Sequence, residues 1–169
     1  MFEERGRWWL KGVNYKEGSV FSIPLEKNCF SVGVVARVAP QGGVLLAYFF
    51  GKLYRSLPSL MDVENLKASN ASKCWLIGDL ALLNCDWPIL GGLKEWERVH
   101  WPVPVFVREE VISHRAWLVY LSDSNPAVVE REILVKEKPI DMESWSVLGH
   151  GFVQLKLKKL FCEKFSAES

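Results

Sequence analysis

The chain has 169 residues, 49% of them hydrophobic and 12% aromatic, with eight tryptophans and a formal net charge of +1. That length fits one domain with a substantial core, and that hydrophobicity excludes the charge-rich composition of a disordered chain. With 21 Lys and Arg against 20 Asp and Glu, no whole-protein field holds nucleic acid or an anionic membrane, and a wholesale acidic mimic of nucleic acid is equally excluded. We read residues 1–169 as a single domain, with 1–15 an N-terminal extension and 16–165 the core.

In the extension, the charged stretch Met1 to Arg7 leads to only three apolar residues, Trp8 to Leu10, so no secretory signal is expected. Arg5, Arg7, Trp8, Trp9 and Lys11 interleave cations with aromatic rings, the combination that holds single-stranded nucleic acid. The neighbouring Glu3 and Glu4 favour a solvated, partly packed terminus instead. Residues 19–25 then alternate, with Phe21, Ile23 and Leu25 on one face. Residues 30–38 alternate as well, Phe30, Val32, Val34, Ala36 and Val38 opposing Ser31, Gly33, Val35 and Arg37, which predicts a half-buried strand. The link Glu26-Lys27-Asn28-Cys29 and the stretch Pro40-Gln41-Gly42-Gly43 both suit hairpins. Residues 44–50 are apolar on both faces and predict a central strand that Gly51 ends.

Residues 59–67 predict a short helix capped by Ser59, with Asp62 at its third position. Residues 68–72 read as a loop and 73–78 as a fourth strand. Residues 78–92 follow no single period and predict an irregular segment tucked onto the core. The two prolines of Trp101-Pro102-Val103-Pro104 exclude a central strand there. Strands are expected at 105–108 and 116–121, with a returning strand at 128–136 after the turn Ser122-Asp123-Ser124-Asn125-Pro126. Residues 140–148 read as loop or short helix. Val153, Leu157, Leu160, Phe161 and Phe165 recur at helical spacing and predict a C-terminal amphipathic helix with a frayed tail. The fold expected is α+β with strands dominant: a twisted antiparallel sheet or a small, partly open barrel with a C-terminal helix packed on it.

Chemistry is sparse. Cys29, Cys74, Cys85 and Cys162 have no short spacing of the kind metal and redox motifs use, so buried, unpaired thiols and a reduced, cytoplasmic setting are expected. His100, His114 and His150 lie far from one another and from any cysteine, and no metal or cofactor is expected. No glycine loop resembles a phosphate cradle, and no apolar run approaches the length of a membrane span. His150 on Gly149-His150-Gly151 is a general base for a hydrolase only if Asp79 or Asp86 joins it in one cleft. A small nucleic-acid-binding barrel is the other alternative, and it requires a contiguous basic surface. Glu95-Trp96-Glu97-Arg98-Val99-His100-Trp101 sets large aromatics among charges on a proline-bounded loop, the side-chain mix of protein interfaces, although tryptophans are also core residues. Trp96, Glu97, His100 and Trp101 are the candidate contact residues.

Three segments in combination resemble the immunity protein 26 family of bacterial polymorphic toxin systems. They are Gly18-Ser19-Val20-Phe21-Ser22-Ile23-Pro24-Leu25, the Gly33-Val34-Val35 strand, and Asp79 followed by Trp87-Pro88-Ile89-Leu90-Gly91. Ser19 stands where aspartate is expected. The resemblance spans about residues 16–161 and implies a cytoplasmic antidote that binds a cognate protein toxin and blocks it without catalysis. It carries no catalytic set over, and it implies that Phe21, Ile23 and Trp87 belong to a core.

Overall fold

A computed structural model describes residues 15–162. Six strands form the main sheet in the order β5-β1-β2-β3-β4-β9, and β6-β7-β8 form a second sheet. The first three strands are the hairpin pair expected: β1 (Ser19–Glu26), β2 (Cys29–Val38) and β3 (Val44–Tyr54). Glu26 pairs with Cys29 across a two-residue turn in which Asn28 takes φ 54°, a left-handed conformation that asparagine tolerates. Contrary to expectation, β3 runs through Gly51. A Cβ there would lie 2.9 Å from Ser72 Oγ and 3.2 Å from the Phe161 ring, so this glycine makes room for neighbours rather than ending the strand.

The expectation of a half-buried β2 is also corrected, because both of its faces are covered. On one face Val32, Val34 and Ala36 join Val20, Leu46, Leu76, Phe106 and Val119, so the second sheet packs there. On the other, Val35 joins Phe21, Ile23, Leu45, Phe49, Trp75, Trp87, Val153 and Leu157, so the helices pack there. The small or polar residues that made this face look wet have partners. Ser31 Oγ donates to the Phe50 carbonyl at 2.9 Å, and the Phe21 ring fills the space where a Gly33 Cβ would stand, 2.4 Å from its nearest atom.

The helix over 59–67 shortens to one turn, α1 (Leu60–Val63). Ser59 N–H and Oγ–H both donate to Asp62 Oδ2 at 2.8 Å, the expected cap. Past Val63 the chain turns, with a 3-10 turn at Ala68–Asn70, and enters β4 (Lys73–Gly78). The irregular segment expected over 78–92 is in fact structured as α2 (Leu80–Leu83) and β5 (Ile89–Gly92), the latter pairing antiparallel with β1. Each element is only four residues long, too short for a period to show.

In the second sheet, β6 (Phe106–Glu109), β7 (Ala116–Leu121) and β8 (Val129–Val135) fall where the sequence placed them. Of residues 140–148, expected as loop or short helix, 140–142 are a turn and 143–148 form an extended strap. Trp145 N–H donates to the Val107 carbonyl at 2.8 Å, and β9 (Val147–Leu148) pairs parallel with β4, so the strap ties the two sheets together. Lys73 Nζ meets Glu143 Oε1 at 2.5 Å along it. The C-terminal helix, expected from Phe152, begins at His150 as α3 (His150–Leu157) and continues as a π turn, Lys158–Cys162. The architecture is strand-dominated α+β in three layers, with the helices, the main sheet and the small sheet stacked, and no closed barrel among the described residues. The readings made on residues 1–14 and 163–169 lie outside the described residues.

Candidate functional site

The resemblance motifs converge on one hub. Trp87 stacks on Phe21 with centroids 5.6 Å apart and planes 2° apart, while Phe21 lies against Gly33 on its neighbouring strand. The Pro88 carbonyl accepts the Ser22 N–H at 2.9 Å, which sets the edge strand β5 against β1. Phe21, Ile23 and Trp87 are each 0% exposed in one apolar cluster, so they form a dry interior, not a polar cavity. Asp79 is equally architectural. Its Oδ2 accepts the Tyr15 hydroxyl at 2.7 Å and the Gly43 N–H at 3.0 Å, joining the chain before β1 to the β2–β3 turn. Burial and that carboxylate push the Tyr15 phenol above its ordinary range.

The contact loop of the sequence is divided by the structure. Trp101 is 3% exposed, its ring edge-on to Tyr48 at 5.2 Å and to Phe50 at 6.3 Å, so it is the root of the loop in the sheet. Tyr48 OH donates to the Pro102 carbonyl and fixes the same root. Trp96 lies against Trp101 at 5.2 Å and over Gly18, whose φ of 84° and whose missing Cβ, 2.8 Å from the Trp96 ring, both call for glycine. Glu97 and His100 point outward, with side chains 67% and 68% exposed and Nδ1 3.9 Å from Oε2. Two tryptophans thus hold the loop, and two polar residues are displayed by it.

An ionic chain fixes the loop from behind. Arg98 donates to both oxygens of Glu17, at 2.6 and 2.8 Å, and to Asp123 Oδ2 at 3.2 Å. Arg37, 2% exposed, donates to Asp123 Oδ1 at 2.6 Å and to the Arg98 carbonyl at 3.4 Å. The Arg37 hydrogen bond, reinforced by both guanidinium charges, holds the Asp123 carboxyl below the usual carboxylate range. Beside the loop opens a cleft of about 520 Å³, walled by residues 64–69 on one side and by Leu93, Glu95, His100 and Trp101 on the other. The 64–69 wall carried no sequence signal, because it meets the loop only through the fold.

The structure shows no hydrogen-bonded pairing of His150 with Asp79 or Asp86 among the described residues. The His150 ring stands edge-on to Trp87 at 6.5 Å. Arg37, Lys73, Arg98, Arg108, Lys138 and Lys158 each face a carboxylate within 3.2 Å, so these six cations build no contiguous basic surface. The aromatic and basic stretch from Arg5 to Lys11 lies outside the described residues. Against the expectation of buried, unpaired thiols, Cys85 is exposed, Cys29, Cys74 and Cys162 are half-buried, and Cys29 and Cys162 touch with sulfurs 3.6 Å apart. Glu26 lies within 4.8 Å of both, so these three are a trio with metal-donor atoms that the sequence spacing did not show.

A sequence-family model described as Immunity protein 26 matches residues 16–118, more than half of the chain. This chain belongs to the immunity protein 26 family. The matched span starts just before Gly18 and ends inside β7, so it contains the Phe21–Gly33–Trp87 hub, the Trp96–Trp101 loop and every residue that walls the cleft. The strap, β8 and α3 complete the layers beyond it. No curated protein and no solved structure matches the chain. As an immunity protein 26 member the chain is an immunity protein, and its family motifs build the core and seat the loop. Gly18 shows both roles: it opens β1 and receives Trp96.

Proposed function

We propose that this protein neutralises a cognate toxin of a bacterial polymorphic toxin system by binding it stoichiometrically in the cytoplasm, without catalysis. The anchored loop, displaying Glu97 and His100 beside the cleft, is the contact surface. The observation that carries this reading is the division of labour within the loop. Trp96 and Trp101 pack against Gly18, Tyr48 and Phe50, so Glu97 and His100 are presented from a packed root. Preorganisation of this kind lowers the ordering cost of association, and interfaces draw most of their affinity from a few such residues.

The test is calorimetric titration against purified toxin domains of polymorphic toxin systems. Glu97→Arg and His100→Ala weaken binding at least tenfold, about 1.4 kcal/mol, while leaving the melting temperature within a degree, because both side chains lie in solvent. Unchanged affinity in both variants places the interface elsewhere and removes the loop from the proposal. No binding by the parent protein rejects the pairing itself.

A further inference from the structure

We infer that Cys29 and Cys162 form a reversible disulfide that staples the C-terminal end of the helical layer to the first hairpin. Cys29 is the first residue of β2, directly across the turn from Glu26, and Cys162 is the last residue of the π turn that extends α3. Their sulfurs stand 3.6 Å apart, although 133 positions separate them in the chain. A disulfide needs about 2.05 Å, so the sulfurs must close by about 1.5 Å, a small adjustment for a residue at the end of the helix.

The surroundings favour this product over a bound divalent cation. A cation would need the Glu26 carboxylate, which Lys158 Nζ already engages at 3.2 Å. It would also need two persistent thiolates side by side, whereas burial, Cys29 and Glu26 together push the Cys162 thiol up to about 12. A disulfide is neutral and requires a thiolate only in passing. With glutathione disulfide as oxidant, one cysteine thiolate attacks a glutathione sulfur and releases one glutathione thiolate. The second cysteine thiolate then attacks the mixed disulfide at the protein sulfur and releases the other. The two protons lost by the cysteines end on the two glutathiones, and the two electrons reduce their S–S bond.

The bond closes nearly the whole described chain into one covalent loop, which restricts the unfolded state most when the loop is long. The remaining thiols serve as internal controls. Cys74 is half-buried beside Tyr48, and Cys85 stands exposed after α2.

The full chain is incubated with glutathione disulfide, alkylated and mapped by mass spectrometry, then melted with and without dithiothreitol. The expected result is a Cys29–Cys162 crosslinked peptide and a melting temperature about 10 °C higher, reversed by dithiothreitol. Both effects should be absent in Cys29→Ser and Cys162→Ser and present in Cys85→Ser. Four alkylated thiols after oxidation, a stable glutathione adduct on Cys29 or Cys162, or a crosslink from either of them to another cysteine would each overturn the assignment. Mapping of the unsubstituted protein decides this even if a serine variant fails to fold.

Discussion

Trp87→Ala lowers the free energy of unfolding by about 4 kcal/mol, measured by urea denaturation. Trp87 is 0% exposed and stacked flat on Phe21, and its backbone leads directly into the edge strand β5. Truncation removes the apolar contacts of a whole indole and leaves a void that the sheet cannot fill, because Phe21 is pinned from its other side by β2. Trp87→Phe separates volume from polarity. The Trp87 indole N–H has no acceptor among the described residues, so phenylalanine gives up some volume but no hydrogen bond and costs about 1.5 kcal/mol or less. Gly33→Val probes the same stack from below, since its first added carbon would stand 2.4 Å from the Phe21 ring. It should destabilise by about 3 kcal/mol. If Trp87→Ala unfolds with the parent midpoint, the hub is not the centre of the core.

Asp123→Ala should cost about 2 kcal/mol and Arg37→Met less than about 1, although each breaks the same ion pair. The asymmetry follows from burial, since Arg37 is 2% exposed and Asp123 62%. Removing the aspartate strands a charged guanidinium inside the protein with only carbonyl acceptors, whereas removing the arginine leaves a carboxylate that water already reaches. The double variant should therefore be more stable than Asp123→Ala alone. A double variant no better than the single one would mean that Asp123 acts by some route other than neutralising Arg37. The pH dependence carries the same sign. Because Arg37 depresses the Asp123 pKa, its contribution is present above the ordinary carboxylate value and is lost as pH falls through the lowered one. Asp123→Asn should accordingly flatten the loss of stability below about pH 4.

How much of this was legible in the sequence depended on the range of the interactions involved. Strands β1, β2 and β7 showed themselves because a period of two over six or more residues is a local signal, β3 because it is a continuous apolar run, and β8 because turn chemistry precedes it. The short β5 did not. Two of its four residues are glycines, and only the β1 edge makes it a strand. The inner face of β2 was misread because Gly33 and Ser31 look like surface residues until Phe21 and the Phe50 carbonyl are seen to complete them. Within the Trp96–Trp101 loop, sequence chemistry drew attention to aromatics among charges but had no way to separate Trp101 from His100. What separates them is Tyr48 and Phe50, about fifty residues away on β3. The bond from Arg37 to Asp123 spans 86 positions and was equally out of reach.

An antidote that acts by occupancy and one that acts by turnover predict different titration curves. Residual toxin activity, measured while the purified protein is added to a fixed, known amount of toxin domain, should fall linearly and reach its floor at one equivalent, with activity returning when the complex is dissociated. Complete inactivation by a small fraction of an equivalent, deepening with incubation time, would contradict the proposed mechanism and show that the protein consumes or modifies something instead of holding its partner.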